Sequence, residues 1–144
     1  REGAMISKVL VALDGSRLAE AALPYVEHLA RNLTLEVVLV QVIEPALRNS
    51  GLLITEVYEE SAGDYLTKVA GKLRAKGLKV GRQLLHGRPA PSIVDLARET
   101  PGNPIVLATH GRSGLRRWIA GSVTHAVVRA SGNPVLVIGP GHTE

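Results

Sequence analysis

Residues Leu107-Ala108-Thr109-His110-Gly111-Arg112-Ser113-Gly114-Leu115-Arg116-Arg117-Trp118-Ile119-Ala120-Gly121-Ser122-Val123-Thr124 join the apolar run Ile105-Val106-Leu107-Ala108 to a helical pattern. The run reads as a strand buried on both faces. The connection carries three glycines and three arginines and closes on Gly-Ser-Val-Thr. Gly111 and Gly114 let the backbone approach a ligand closely. Gly121 to Thr124 falls at a helix start, where unpaired N–H groups and the positive dipole end favour a phosphate. Ser122 and Thr124 add hydroxyl donors, and Arg112, Arg116 and Arg117 offer charge-assisted bonds. The stretch therefore reads as an anion cradle. Spacing alone leaves a second reading open, an ordinary glycine-rich connection in which Ser122 only caps the helix. It is neither a Gly-Lys-Ser/Thr loop nor a Gly-x-Gly-x-x-Gly turn after the first strand.

Working outward, strands alternate with helices. Ser7 to Leu13 and Leu35 to Ile43 are nearly all apolar and predict strands covered on both faces. Between them Leu18, Ala21, Ala22, Tyr25, Val26, Leu29 and Ala30 recur at helical spacing behind Ser16, a good N-cap. Pro24 should kink that helix or cost it a hydrogen bond without ending it. Residues 46–57 carry no clear period and read as a long connection. A second helix is expected from about Ser61, through Leu66, Val69, Ala70 and Leu73, to a left-handed cap at Gly77. Leu78 to Leu85 alternates and predicts a strand near an edge. His86 to Pro91 reads as a turn, with Pro91 in the first turn of a third helix built on Ile93, Val94, Leu96 and Ala97. Pro101-Gly102-Asn103-Pro104 stops it. After the opening stretch, a helix from Ser122 turns Val123, Ala126, Val127 and Ala130 inward, and Gly132-Asn133-Pro134 ends it. Val135 to Ile138 is the fifth strand. The order implies an α/β fold: one five-stranded parallel sheet, doubly wound, with helices on both faces and ligands outside the carboxyl ends of the strands at the switch point. Asp14, the Val42 region and the opening loop would form that crevice.

The 144 residues suit one domain, read as residues 5–144, with 1–4 as a remnant of an expression tag before Met5. No cysteine is present, which removes disulfides and thiolate metal sites and fits a reducing cytosol. No apolar run approaches the roughly 20 residues of a membrane span, and no signal peptide is read at the start. Net charge is +4, but the basic residues are dispersed and aromatics make up 3%, which argues against nucleic acid. His28, His86, His125 and His142 lack metal-ligand spacing, so no metal site is read. No paired carboxylates, activated thiol or defensible Ser-His-Asp order is visible, so no catalytic residue is assigned. Asp14 has two readings: a turn residue bonding its own backbone, or a carboxylate accepting from a base or sugar, which its place at a strand's carboxyl end favours.

Three segments carry a family resemblance: Val9-Leu10-Val11-Ala12-Leu13-Asp14-Gly15-Ser16; Gly87-Arg88-Pro89-Ala90 with Ile93-Val94-Asp95-Leu96-Ala97; and Thr109-His110-Gly111-Arg112-Ser113-Gly114 through Gly121-Ser122-Val123 to Asn133-Pro134-Val135-Leu136-Val137. In that order they resemble the universal stress proteins, specifically the ATP-binding branch with its Gly-x2-Gly-x9-Gly-Ser/Thr motif. Gly111 and Gly121-Ser122 match the motif, and Ala108 stands where its first glycine would be. The resemblance implies binding of ATP or another adenine nucleotide, which Mg2+ could accompany. Asp14 and the backbone near Val42 would hold the adenine. Ala12, Leu13 and Ala108 would line the sugar. Gly111, Arg112, Gly121, Ser122, Val123 and Thr124 would hold the phosphates. It further implies a cytoplasmic regulatory homodimer pairing Val135 to Ile138 edge to edge, an unnamed protein partner, and slow hydrolysis at most. The alternative is a nucleotide-free stress protein that acts through protein contacts.

Overall fold

The computed structural model describes residues 6–13, 18–44, 52–108 and 122–138. Along the chain run β1 (Lys8–Leu13), α1 (Leu18–Leu33), β2 (Glu36–Ile43), α2 (Leu52–Ala75), β3 (Val80–His86), α3 (Pro89–Arg98), β4 (Ile105–Ala108), α4 (Ser122–Ser131) and β5 (Val135–Ile138). The strands form one sheet in the order β3-β2-β1-β4-β5. Every pairing is parallel. The chain winds outward from β1 through β2 to β3, crosses back, and continues through β4 to β5. Its direction reverses between β1 and β4.

Alternation along the central strands feeds two cores. Val9, Val11 and Leu13 of β1 meet Val37 and Leu39 of β2 under α1 and α2. Leu10, Ala12, Val38 and Val40 point the other way, against Ile93, Val94, Leu96 and Ala97 of α3 and Val123 and Val127 of α4. A strand covered on both faces has little room for a polar side chain, hence the apolar runs Val9 to Leu13 and Val37 to Val40. Each Leu or Val so buried stabilises the fold by about 1.5–3 kcal/mol.

The boundaries depart from the sequence pattern in two places. Residues 52–60 are the first turns of α2 rather than part of a connection, so the helix starts nine residues before Ser61. Leu52, Leu53, Ile54 and Val57 are too tightly bunched to display a period, while Leu and Glu are good helix formers. The third strand begins at Val80 and takes in His86, read earlier as turn; the α2–β3 turn retains Leu78 and Lys79. Two side chains of the expected apolar faces are instead exposed, Tyr25 at 55% and Ala130, because each lies at the rim of its helix's buried stripe. Three further expectations hold. Pro24 lies within a continuous α1, Gly77 closes α2 with φ +89°, and β3 is an edge strand. The third helix opens at Pro89, so both Pro89 and Pro91 occupy its first turn, with Arg88 extended before them at φ −86°, ψ 141°.

Two identical tripeptides, Gly102-Asn103-Pro104 and Gly132-Asn133-Pro134, introduce β4 and β5. Each glycine has positive φ, +86° and +73°, which reverses the chain after a helix. Each proline carbonyl accepts from the neighbouring strand: Leu10 N–H donates to Pro104 O at 2.9 Å and Ile105 N–H to Pro134 O at 2.8 Å. Each asparagine side chain reaches backward in the sheet. Asn103 Oδ1 accepts from the backbone of Ser7 at 2.8 Å and Lys8 at 3.0 Å, and Asn133 Nδ2 donates to Asn103 O at 2.8 Å. The sequence pattern gave these tripeptides only as helix stops.

Candidate functional site

The crevice of a doubly wound sheet forms where strands on either side of the reversal send their connections to opposite faces. Here that point is the carboxyl end of β1 and β4. Leu13 is the last residue of β1, Ala108 the last of β4, and Val42 lies one residue from the end of β2. Gly87 N–H donates to Ile43 O at 2.9 Å and ties the end of β3 to that of β2. The α4 helix starts at Ser122 and packs through Val123 and Val127 on the face opposite α1.

These positions divide the expected residues by what each can offer. Ala12 and Leu13 are 2% and 0% exposed, on opposite faces of the sheet. Val42 packs against the α3–α4 core. A ligand at the strand ends would meet the backbone of these residues, their side chains being committed to the cores. Val123, at 4% exposure, likewise offers only its N–H, one of the group that a helix's first turn leaves without intrahelical partners. Thr124 differs: its Oγ1 is buried and has no hydrogen-bond partner. A buried hydroxyl in that condition is uncommon and calls for an explanation. Ala108 ends β4, paired with Ile138, and Ser122 opens α4. Asp14, Gly111, Arg112 and Gly121 lie outside the described residues, as do Ser16, Trp118 and most of the opening loop.

The opposite end of the sheet is rich in basic side chains. A cleft there is lined by Lys8, Arg31, Thr34, Glu36 and Lys79. The carboxyl ends of α1 and α2 arrive at it, and their exposed carbonyls favour cations. Arg31 accordingly donates to Lys76 O at 2.8 Å, and Lys76 pairs with Glu27 at 2.7 Å. Among the described residues, no three His, Asp or Glu side chains are placed to hold a metal ion, and no helix is long and apolar enough to cross a membrane.

The model of the universal stress protein family matches residues 5–139. The chain belongs to that family. Universal stress protein MJ0531 of Methanocaldococcus jannaschii is 30% identical over 93% of the chain and 82% of its own length. The solved structure of MJ0577, a universal stress protein of the same organism, superposes with a TM-score of 0.80 at 28% identity, covering 96% of this chain and 99% of that one. A universal stress protein from Archaeoglobus fulgidus, solved in complex with dAMP, superposes at 0.71 with 25% identity, covering 93% and 98%. The family fold thus accounts for the strand order, the reversal between β1 and β4 and the placement of α4.

Proposed function

We propose that this universal stress protein binds ATP or another adenine nucleotide at the carboxyl ends of β1, β2 and β4, and acts as a regulatory homodimer in a stress response. The observation that carries the reading is the orphaned hydroxyl of Thr124 in the first turn of α4, directly after the glycine-rich loop. A phosphate oxygen at that helix start would accept from Thr124 Oγ1 and from the free backbone N–H groups of Ser122, Val123 and Thr124 together. Gly111, Arg112 and Gly121 complete the proposed phosphate cradle, with Mg2+ as the phosphates' accompanying ion. Asp14 and the Val42 backbone take the base. Ala12, Leu13 and Ala108 face the sugar through their backbones. The relative in complex with dAMP supports an adenine ligand. With no base assigned to activate water, occupancy rather than turnover would be the signal.

Two measurements test this. Protein purified, denatured and resolved by anion exchange should release an adenine nucleotide, and added ATP should raise the melting temperature of nucleotide-free protein. Absence of both would favour the nucleotide-free alternative, in which the family fold acts through protein contacts alone.

The dimer reading rests on β5. Among the described residues this strand pairs only with β4, and Leu136 and Val137 are 38% and 43% exposed on its two faces. An open apolar edge is a template for another strand, and a second copy of the same edge would cover it. Leu136→Lys should convert the dimer to a monomer by light scattering at micromolar concentration, with little change in the circular dichroism spectrum. A dimer that survives both this change and Val137→Lys would place the interface elsewhere.

A further inference from the structure

Four charged residues of α2 stand in one row along its outer surface. Glu60, Asp64, Lys68 and Lys72 recur at every fourth position, and all four are exposed. The other side of the helix, through Ala62, Leu66, Val69, Ala70 and Leu73, is buried. Read along the helix, the row is two negative charges followed by two positive ones. Among the described residues none of the four side chains forms an ion pair. Lys76, the next position of the row, is taken by Glu27 at 2.7 Å.

Within a single helix this order is unfavourable. Glu60–Asp64 and Lys68–Lys72 are like-charge neighbours at i, i+4, and only Asp64–Lys68 joins opposite signs. Alternating signs would make every neighbour favourable. The helix dipole does not explain the segregation either, since its effect fades within the first and last turns. Lys72 reaches the last turn, but Glu60, Asp64 and Lys68 lie in the interior of Leu52–Ala75. The order is, however, self-complementary. A second α2 laid antiparallel, with its midpoint at Leu66, sets Glu60 against the partner's Lys72 and Asp64 against the partner's Lys68. The twofold axis repeats both contacts, so the like-charge neighbours of one helix become four opposite-charge pairs between two.

A neighbouring row permits close approach. Thr67, Gly71 and Ala75 are small, exposed and again four residues apart. Glycine is a poor helix former, and a methyl group added at Gly71 would meet nothing within 4 Å. Packing within one chain therefore does not require the missing side chain. A second helix at an interaxial distance of roughly 8–10 Å does. The α2 helix packs on Val37 and Leu39 of β2 and Val80 of β3, and β3 is the sheet edge opposite β5. This face is thus separate from the β5 edge.

We propose that the outer face of α2 docks a second copy of this chain, the two helices packing antiparallel through the row Glu60-Asp64-Lys68-Lys72. A uniformly acidic partner would be repelled by Glu60 and Asp64, and a basic one by Lys68 and Lys72; a second copy matches both halves. One pair of helices makes a small interface, so the association is weak and reversible.

Sedimentation velocity over a concentration series tests this. Wild-type protein should show an association that weakens by about tenfold or more between low and high salt, as four exposed opposite-charge pairs are screened. The double variant Lys68→Glu, Lys72→Glu makes the row wholly negative, and Glu60→Lys, Asp64→Lys makes it wholly positive. Each alone should lose this association, and an equimolar mixture of the two should regain it. Gly71→Leu should also lose it by blocking close approach, while raising the melting temperature by a few degrees because leucine is the better helix former. Circular dichroism spectra like that of wild type would show that the charge variants, altered only at exposed positions, remain folded. Wild type without a salt-sensitive association overturns the proposal. So does an association unchanged by both charge reversals, whatever β5 contributes, or a mixture that fails to regain what each variant lost.

Discussion

Asn103→Ala should lower the melting temperature by roughly 10 °C, corresponding to about 3 kcal/mol. The Asn103 side chain is 3% exposed and ties the turn between α3 and β4 to the start of β1. Its Oδ1 accepts from the backbone N–H of Ser7 at 2.8 Å and Lys8 at 3.0 Å, and its Nδ2 donates to Thr100 O at 3.3 Å. Alanine leaves two main-chain donors at the entrance to β1 without a partner and opens a small void beside them. Each unsatisfied donor costs about 1–3 kcal/mol, moderated here because Ser7 is exposed to water. Asn133→Ala should cost less, since its side chain donates to carbonyls, at 2.8 Å to Asn103 and 3.3 Å to Thr100, and leaves acceptors rather than donors. The two residues belong to one network, so the double variant should lose less than the sum of the singles. A melting temperature within 2–3 °C of wild type for Asn103→Ala, below about 1 kcal/mol, would show that the network adds little to stability.

Gly121→Val should remove nucleotide binding while leaving the apo protein folded. Gly121 is the residue before α4, in the position assigned to the closest backbone approach to phosphate. A branched side chain there would occupy the space of the phosphate oxygens. At a ligand concentration of 100 times the dissociation constant, binding adds about 2.7 kcal/mol to stability, a rise of roughly 10 °C for a chain of this size. That rise should appear with ATP in wild type and vanish in the variant, with affinity reduced more than about 100-fold. An unchanged response to ATP would remove the phosphates from the start of α4 and leave Thr124 without its proposed partner.

The central strands were legible in the sequence because burial on both faces leaves no choice of residue. Val9 to Leu13 and Val37 to Val40 read as strands on their apolar runs, and β3 revealed its edge position through the alternation of Val80 and Leu84 with Gly81 and Gln83. The start of α2 was not legible. Its first turns carry Leu52, Leu53, Ile54 and Val57, which crowd together in the sequence and mark no single helical face. The candidate site was legible as a place, the strand ends and the start of α4, since the fold class dictates where such a crevice falls. The individual contacts were less so. Ala12, Leu13 and Val123 are core residues by side chain, so the proposed role toward a ligand would fall to backbone groups that every residue shares. The repeated Gly-Asn-Pro could also have been read from the sequence. Its recurrence before β4 and β5 marks two turns solving the same geometric problem.

The position of β1 in the middle of the sheet bears on how the chain comes off the ribosome. The partners of β1 are β2 on one side and, on the other, Ile105 to Leu107 of β4. The first can be engaged early in synthesis. The second is made only after about a hundred residues have emerged, at roughly 5–20 residues per second. For those several seconds one flank of β1 carries unpaired main-chain N–H and C=O groups between apolar side chains, the kind of edge that recruits foreign strands. The nascent protein thus passes through its most vulnerable interval just before Asn103 arrives, and the same short turn that delivers β4 also fastens the beginning of β1.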